Sequence, residues 1–178
     1  MFGITRKRSA VVLTALTLTL VLVLMLAATA SAKGKGPVVH RVSVGGPDAC
    51  EAWGLPTGCD ANWSLVAIQH ADGSVSGQFI DRFWQGWGFH ATIDCLYVDG
   101  NDAWVSGEIT NGYFGGEDRI GEHFSARVRD NGTSANDPAD QFSYSHTGEG
   151  WEGHPHGTCD EQPDYELFDV PQGQVVVE

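Results

Sequence analysis

Positive charge is scarce in this chain: 10 Lys and Arg stand against 23 Asp and Glu among 178 residues, a formal net charge of -13. Affinity for phosphate polymers comes largely from cationic side chains that displace condensed counterions. The composition therefore excludes nucleic acid and anionic lipid as partners. Helical periodicity is missing too, for no stretch of a dozen residues from Lys33 onward repeats apolar positions at i, i+3, i+4 and i+7. Catalytic signatures are equally thin. The sequence has no C-x-x-C, no G-x-S-x-G turn, no H-E-x-x-H and no EF-hand order, which removes the commonest thiol-redox, serine-hydrolase and zinc-protease arrangements. Room for a second domain is lacking as well. After processing, the length suits one domain that buries roughly 70 % of its unfolded surface without a cofactor.

What is present begins with an address. Arg6, Lys7 and Arg8 precede an apolar run from Val11 to Ala28, and Ala30-Ser31-Ala32 supplies the small-x-small exit of a signal peptide. Residues 1–32 are expected to be removed, leaving a secreted domain over 33–178. The apolar run is nearly long enough to span a bilayer, so retention as an N-terminal anchor is the alternative. After cleavage the domain has no membrane segment, and its seven basic residues face 23 acidic ones.

Cys50, Cys59, Cys95 and Cys159 all lie in the mature part. An even number of cysteines in an exported chain predicts two disulfides. Three pairings are possible. Cys50 and Cys59 flank a turn-rich segment across which a local bridge is easy, and that choice would leave Cys95 for Cys159.

The body reads as strands, and the fold class is all-β, a single antiparallel β-sandwich or β-barrel. In Trp87–Val98 two-residue alternation puts Trp87, Phe89, Ala91, Ile93, Cys95 and Tyr97 on one buried face. Asp99-Gly100-Asn101-Asp102 turns the chain into Ala103–Thr110, where Ala103, Val105, Gly107 and Ile109 share a face, predicting a hairpin. Further strands are expected at Val38–Val44, Ser64–His70, Ser74–Arg82, Gly121–Arg129, Gln141–Thr147, Tyr165–Phe168 and Gln174–Val177. Gly77, Gly88 and Gly107 inside strands predict bulges or strong curvature.

The run Ile93-Asp94-Cys95-Leu96-Tyr97-Val98-Asp99-Gly100-Asn101-Asp102-Ala103-Trp104-Val105-Ser106-Gly107-Glu108-Ile109-Thr110 resembles the signature C-L-x-V-x-G-N-x-A-x-V-x-G-x-I-T of a large uncharacterised group of secreted bacterial β-proteins. The segments Phe124–Gly132, Asp137–Ser143 and Gly173–Val177 are similar to later parts of that pattern, in the same order. The resemblance covers residues 74–178 and leaves 33–73 as a variable, disulfide-stapled part. It implies a secreted β-fold and the pairing of Cys95 with Cys159, and it transfers no catalytic residue.

Four constellations are able to carry chemistry. Asp130, Asn131, Asp137 and Asp140 concentrate oxygen donors in one loop, the ligand type calcium prefers, although the same residues satisfy an ordinary polar turn. His154 and His156, near His146, Glu149 and Glu152, are able to present imidazoles to zinc, although Pro155 between them opposes a helix. Among the aromatics, Trp84 and Trp104 are the exposed candidates for a carbohydrate or protein ligand, since rings give apolar area and polar neighbours fix orientation. Carboxylates at Asp81, Asp94, Glu108, Glu117, Asp118 and Glu122 leave a glycosidase-like pair conceivable, with no pattern to select it. The sequence thus points to a secreted ligand-binding or surface-structural module that needs no cofactor, with an extracellular carboxylate-dependent hydrolase as the alternative.

Overall fold

The computed structural model describes residues 35–47, 62–82, 88–114, 116–134, 136–143, 145–147, 157–170 and 173–178. Residues 1–32, expected to be a signal peptide, and the expectations placed on Cys50, Cys59, Trp84, Trp87, His154 and His156 lie outside them.

Among the described residues eleven strands follow one another: β1 (Val38–Pro47), β2 (Asn62–His70), β3 (Val75–Arg82), β4 (Gly88–Asp99), β5 (Asp102–Phe114), β6 (Glu117–Asp118), β7 (His123–Arg129), β8 (Gln141–Phe142), β9 (His146–Thr147), β10 (Phe168–Asp169) and β11 (Gln174–Val177). Among the described residues the one helical feature is a 3-10 turn at Cys159–Glu161. All pairings are antiparallel within one sheet ordered β10-β8-β7-β5-β4-β3-β2-β1-β11, with β6 added to β5 and β9 to β7. The all-β expectation holds, in the form of a single sheet curled into a half-barrel. β1 and β2, from the part outside the resemblance, pair with each other and with β11 and β3 of the same sheet.

Alternation explains most of the strands. In β2, Trp63, Leu65 and Ala67 are buried while Asn62 and Ser64 are exposed. The β4–β5 hairpin turns at Gly100, whose φ of 61° is in the left-handed region that glycine enters without penalty. Between β2 and β3, Ser74 N donates to Asp72 Oδ1 at 3.0 Å. Hydrogen bonding from Ser74 holds the exposed Asp72 carboxyl below its ordinary value. Curvature has a local cause at Gly77 and Gly107, where a Cβ would strike the main-chain oxygens of Val66 and Thr92.

Pure alternation fails in the middle of β4. Ile93 pairs with Gly107 but Cys95 pairs with Ser106, so Asp94 is an extra residue on the β4 side. Such a bulge exchanges the two faces of the strand beyond it. Phe89, Ala91 and Ile93 are buried as expected, but then Leu96 turns inward, while Tyr97 is 37 % exposed and Cys95 faces outward. The expectation of a buried Tyr97 is thus corrected. The strand expected over Gln141–Thr147 divides into β8 and β9, both on β7. Between them Ser143 continues the contact, its N–H donating to Arg127 O at 2.8 Å and its Oγ accepting from Arg127 N at 2.7 Å. Near Tyr165–Phe168 only Phe168 and Asp169 join the sheet.

The concave side is filled by rings. Trp63 of β2 stacks on Phe142 of β8 with centroids 3.8 Å apart, and Phe79 of β3 stacks on Phe124 of β7 at 4.4 Å. Phe89 lies against both Phe79 and Phe124, at 5.5 Å and 5.8 Å. Strands well separated in the order thus meet face to face, and apolar residues such as Val42, Leu65, Val105 and Val128 complete the core.

The two ends of the sheet meet at Asp140. Val170, just past β10, donates its N–H to Asp140 O at 2.7 Å, while Val175 of β11 donates to Asp140 Oδ2 at 2.7 Å. Asp130 does likewise one step along, its Oδ2 accepting from Val177 N at 3.1 Å. Arg41 and Glu178 exchange both backbone hydrogen bonds. Antiparallel alternation therefore turns the N–H groups of Gln174 and Val176 toward β1, leaving those of Val175 and Val177 on the outer edge of β11. Two carboxylates stand where a neighbouring strand would.

Candidate functional site

The Asp and Asn loop between β7 and β8 is built for this seam. Beyond their bonds to β11, Asp140 Oδ1 accepts from Asn131 N at 2.8 Å and Asp130 Oδ1 from Gly132 N at 2.9 Å. Asp137 Oδ2 accepts from Ser134 N at 2.8 Å, and Asn131 Nδ2 donates to Ala139 O at 2.6 Å. All four residues proposed as calcium ligands thus carry backbone hydrogen bonds, and Asp140 is buried. Among the described residues the one trio of side chains within metal-ligand reach is Cys95, Cys159 and Asp160, and two of its members are the halves of a disulfide. Of the histidines grouped in the sequence, His146 is placed in β9 opposite Ser125.

The convex side carries a second cluster. Cys95 is joined to Cys159 with Cα atoms 5.8 Å apart across 64 residues of sequence, the pairing the resemblance implied. In the chain-entropy account a loop of that size stabilises by about 4 kcal/mol. The bond pins the segment that runs from Gly157 to Leu167, a strap over the outer faces of β5 and β7. Cys159 N donates to Ser106 Oγ at 3.2 Å, and Trp104 Nε1 donates to Pro163 O at 3.0 Å. Arg127 Nη1 donates to Asp164 Oδ1 at 3.0 Å, and the Ser125 and Tyr165 hydroxyls share a hydrogen bond of 2.6 Å. The Arg127 guanidinium lies 4.8 Å from the Trp104 ring centre, a cation–π contact, while Asp102 accepts from both Arg127 and Arg129.

Trp104 was expected to be exposed, and in this structure it is not: only 7 % of it is reached by solvent. Alternation places it on the outer face of β5 as the pattern requires. Beside the cross-strand Arg127 over its ring, Trp104 meets the strap, whose Pro163 O, 59 positions later, accepts from the indole, a contact no local pattern announces. Ser106 and Ser125 are buried beneath the same strap, with its own Tyr165 turned in against Ser125, and all three were missed for the same reason. Burial raises the Tyr165 phenol above its ordinary value, with the Ser125 hydrogen bond acting in the opposite direction.

The six carboxylates considered for hydrolysis are dispersed. Asp81 is 4 % exposed and shares the concave side with Phe79, where Ser145 Oγ donates to its Oδ2 at 3.3 Å. Asp94, Glu108, Glu117 and Asp118 are solvent-exposed, and Glu122 pairs with Arg119 at 3.2 Å. A glycosidase sets two carboxyls across one cleft, and Asp81 lies on the side of the sheet opposite the exposed Glu108.

Comparison with protein-family models, with curated proteins and with solved structures yields no match.

Proposed function

We propose that the chain is an exported, disulfide-stapled β-module that recognises a carbohydrate or protein ligand on its exterior. The observation that carries this reading is the filled concave side. Small curled sheets hold a ligand inside only when their inward side chains leave space, and here Trp63, Phe79, Phe89, Phe124 and Phe142 occupy it with rings in mutual contact. Export is supported by the basic, apolar and small-residue segments of residues 1–32 and by the Cys95–Cys159 bond, which persists in oxidising compartments. The acidic balance supports partners other than polyanions.

The test is a thermal-shift screen of the purified protein, with the Cys95–Cys159 bond intact and again after dithiol reduction, against glycans, peptides, calcium and zinc. A ligand that binds only the folded state stabilises it by mass action, by about 2.7 kcal/mol at a hundredfold excess over Kd, and so raises the apparent midpoint. A saturable rise with a glycan or peptide supports exterior recognition. Silence across every class refutes it in favour of a purely structural module, and a rise with calcium or zinc alone would make metal binding the function.

A further inference from the structure

The strap sits on the sheet as a bound peptide would. Each contact it makes uses a different group: the Pro163 carbonyl meets the Trp104 indole N–H, the Asp164 carboxylate meets Arg127, and the Tyr165 phenol meets Ser125. Asp164 is otherwise fully exposed, its side chain at 101 % of the reference area, so Arg127 is what fixes its carboxylate. From Gln162 to Leu167 the segment is neither helix nor strand. Of its backbone N–H groups, the described residues pair that of Gln162 with Cys159 O and that of Tyr165 with Pro163 O. It is held by side chains of β5 and β7. In an acidic molecule, Arg127 and Arg129 share this face and Asp102 balances only one of the two charges.

We propose that the outer face around Trp104, Ser125 and Arg127 is a recognition site for extended peptides that place a carboxylate next to a tyrosine, kept closed in cis by the strap. This rests on the reading that ligands bind the exterior and names the ligand class. The occupant follows from complementarity: an indole donor asks for a main-chain carbonyl, a guanidinium stacked on that indole asks for a carboxylate, and the Ser125 hydroxyl asks for a phenol. A tethered segment competes at an effective concentration in the millimolar range. The Cys95–Cys159 bond sets that tether, so the site opens when it is cleaved. A dithiol reductant does this by exchange: the protein S–S bond breaks, Cys95 and Cys159 leave as thiols, and the two sulfurs of the reductant join.

The probe is the capped synthetic peptide Glu-Gln-Pro-Asp-Tyr-Glu-Leu, the sequence of residues 161–167. The readout is the Trp104 indole N–H resonance, assigned with Trp104→Phe. In the variant Asp164→Ala/Tyr165→Ala, with the disulfide kept, the peptide is expected to shift that resonance saturably, and adding Arg127→Ala is expected to weaken binding about tenfold. The intact oxidised protein is expected to show no shift. A folded strap variant that stays silent up to about 10 mM peptide, beyond the tethered concentration, overturns the proposal. Equal binding by the intact protein overturns it too. Should the strap variant lose its far-ultraviolet dichroism, the wild-type protein reduced with dithiol is titrated instead and judged by the same outcomes. A glycan or peptide hit in the thermal screen together with a silent Trp104 removes this site alone, whereas silence in both experiments removes exterior recognition as well.

Discussion

At the scale of single residues, Asp140 shows how a plausible metal ligand becomes a structural joint. Its carboxylate accepts from Asn131 N and Val175 N, its own carbonyl from Val170 N, and the residue is 7 % exposed. Asp140→Ala leaves two backbone donors without partners near the core and is expected to cost about 2 to 5 kcal/mol in urea unfolding. Asp140→Asn, which keeps an acceptor oxygen, is expected to lose less. The residue types were legible in the sequence, since a loop rich in Asp and Asn satisfies backbone groups as readily as calcium. Their actual partners were not, because β11 lies 35 positions beyond Asp140. Tyr165 supports a pH prediction. Its phenol is raised above its ordinary value of 10.0 by burial, so in the alkaline range the unfolded chain releases this proton before the folded one does. The stabilisation is complete below pH 10 and is lost as pH rises above it. Wild type is therefore expected to lose stability above about pH 10 more steeply than Tyr165→Phe, compared by denaturant titration at a series of pH values.

At the scale of elements, the strands were readable and their faces only partly so. β2, β3, β4, β5, β7 and β11 lie where alternation and turn chemistry put them, and the Gly100 turn makes the expected hairpin. β4 departs because Asp94 is an added residue, and nothing in Ile93-Asp94-Cys95-Leu96 distinguishes a bulge from regular pleating. Bulging there, rather than regular pleating, decides where the sulfur goes. It turns Leu96 into the core and Cys95 to the convex side, within reach of Cys159. Deleting Asp94 removes the bulge and leaves the observed facing in place, with Cys95 opposite Ser106 and Leu96 opposite Val105. The deletion variant is therefore expected to keep the Cys95–Cys159 bond in non-reducing peptide mapping and to keep Leu96 buried. The strap stayed illegible for a different reason: it has neither period nor turn signature and is recognised only by the surface beneath it.

At the scale of the whole molecule, the curl is held from inside by rings and at its seam by carboxylates. Trp63 and Phe142 come from strands that are not neighbours in the sheet, yet they stack at 3.8 Å. Their coupling in a double-mutant cycle with alanine is expected to be about 0.5 to 1.5 kcal/mol beyond the separate losses. A coupling near zero would show that the sheet keeps its curl without this contact. Sequence gave access to the class of this architecture, since short alternating segments with brief turns leave little room for anything but antiparallel strands. It could not indicate which strands meet across the interior, because ring contacts such as Phe79 with Phe124 span 45 positions. The seam has one more effect. Sheets grow into fibrils by copying a free strand edge, one chain upon the next. On β11 the two N–H groups that an incoming chain would have to engage are already bound to Asp130 and Asp140, so the molecule denies that border to polymerisation.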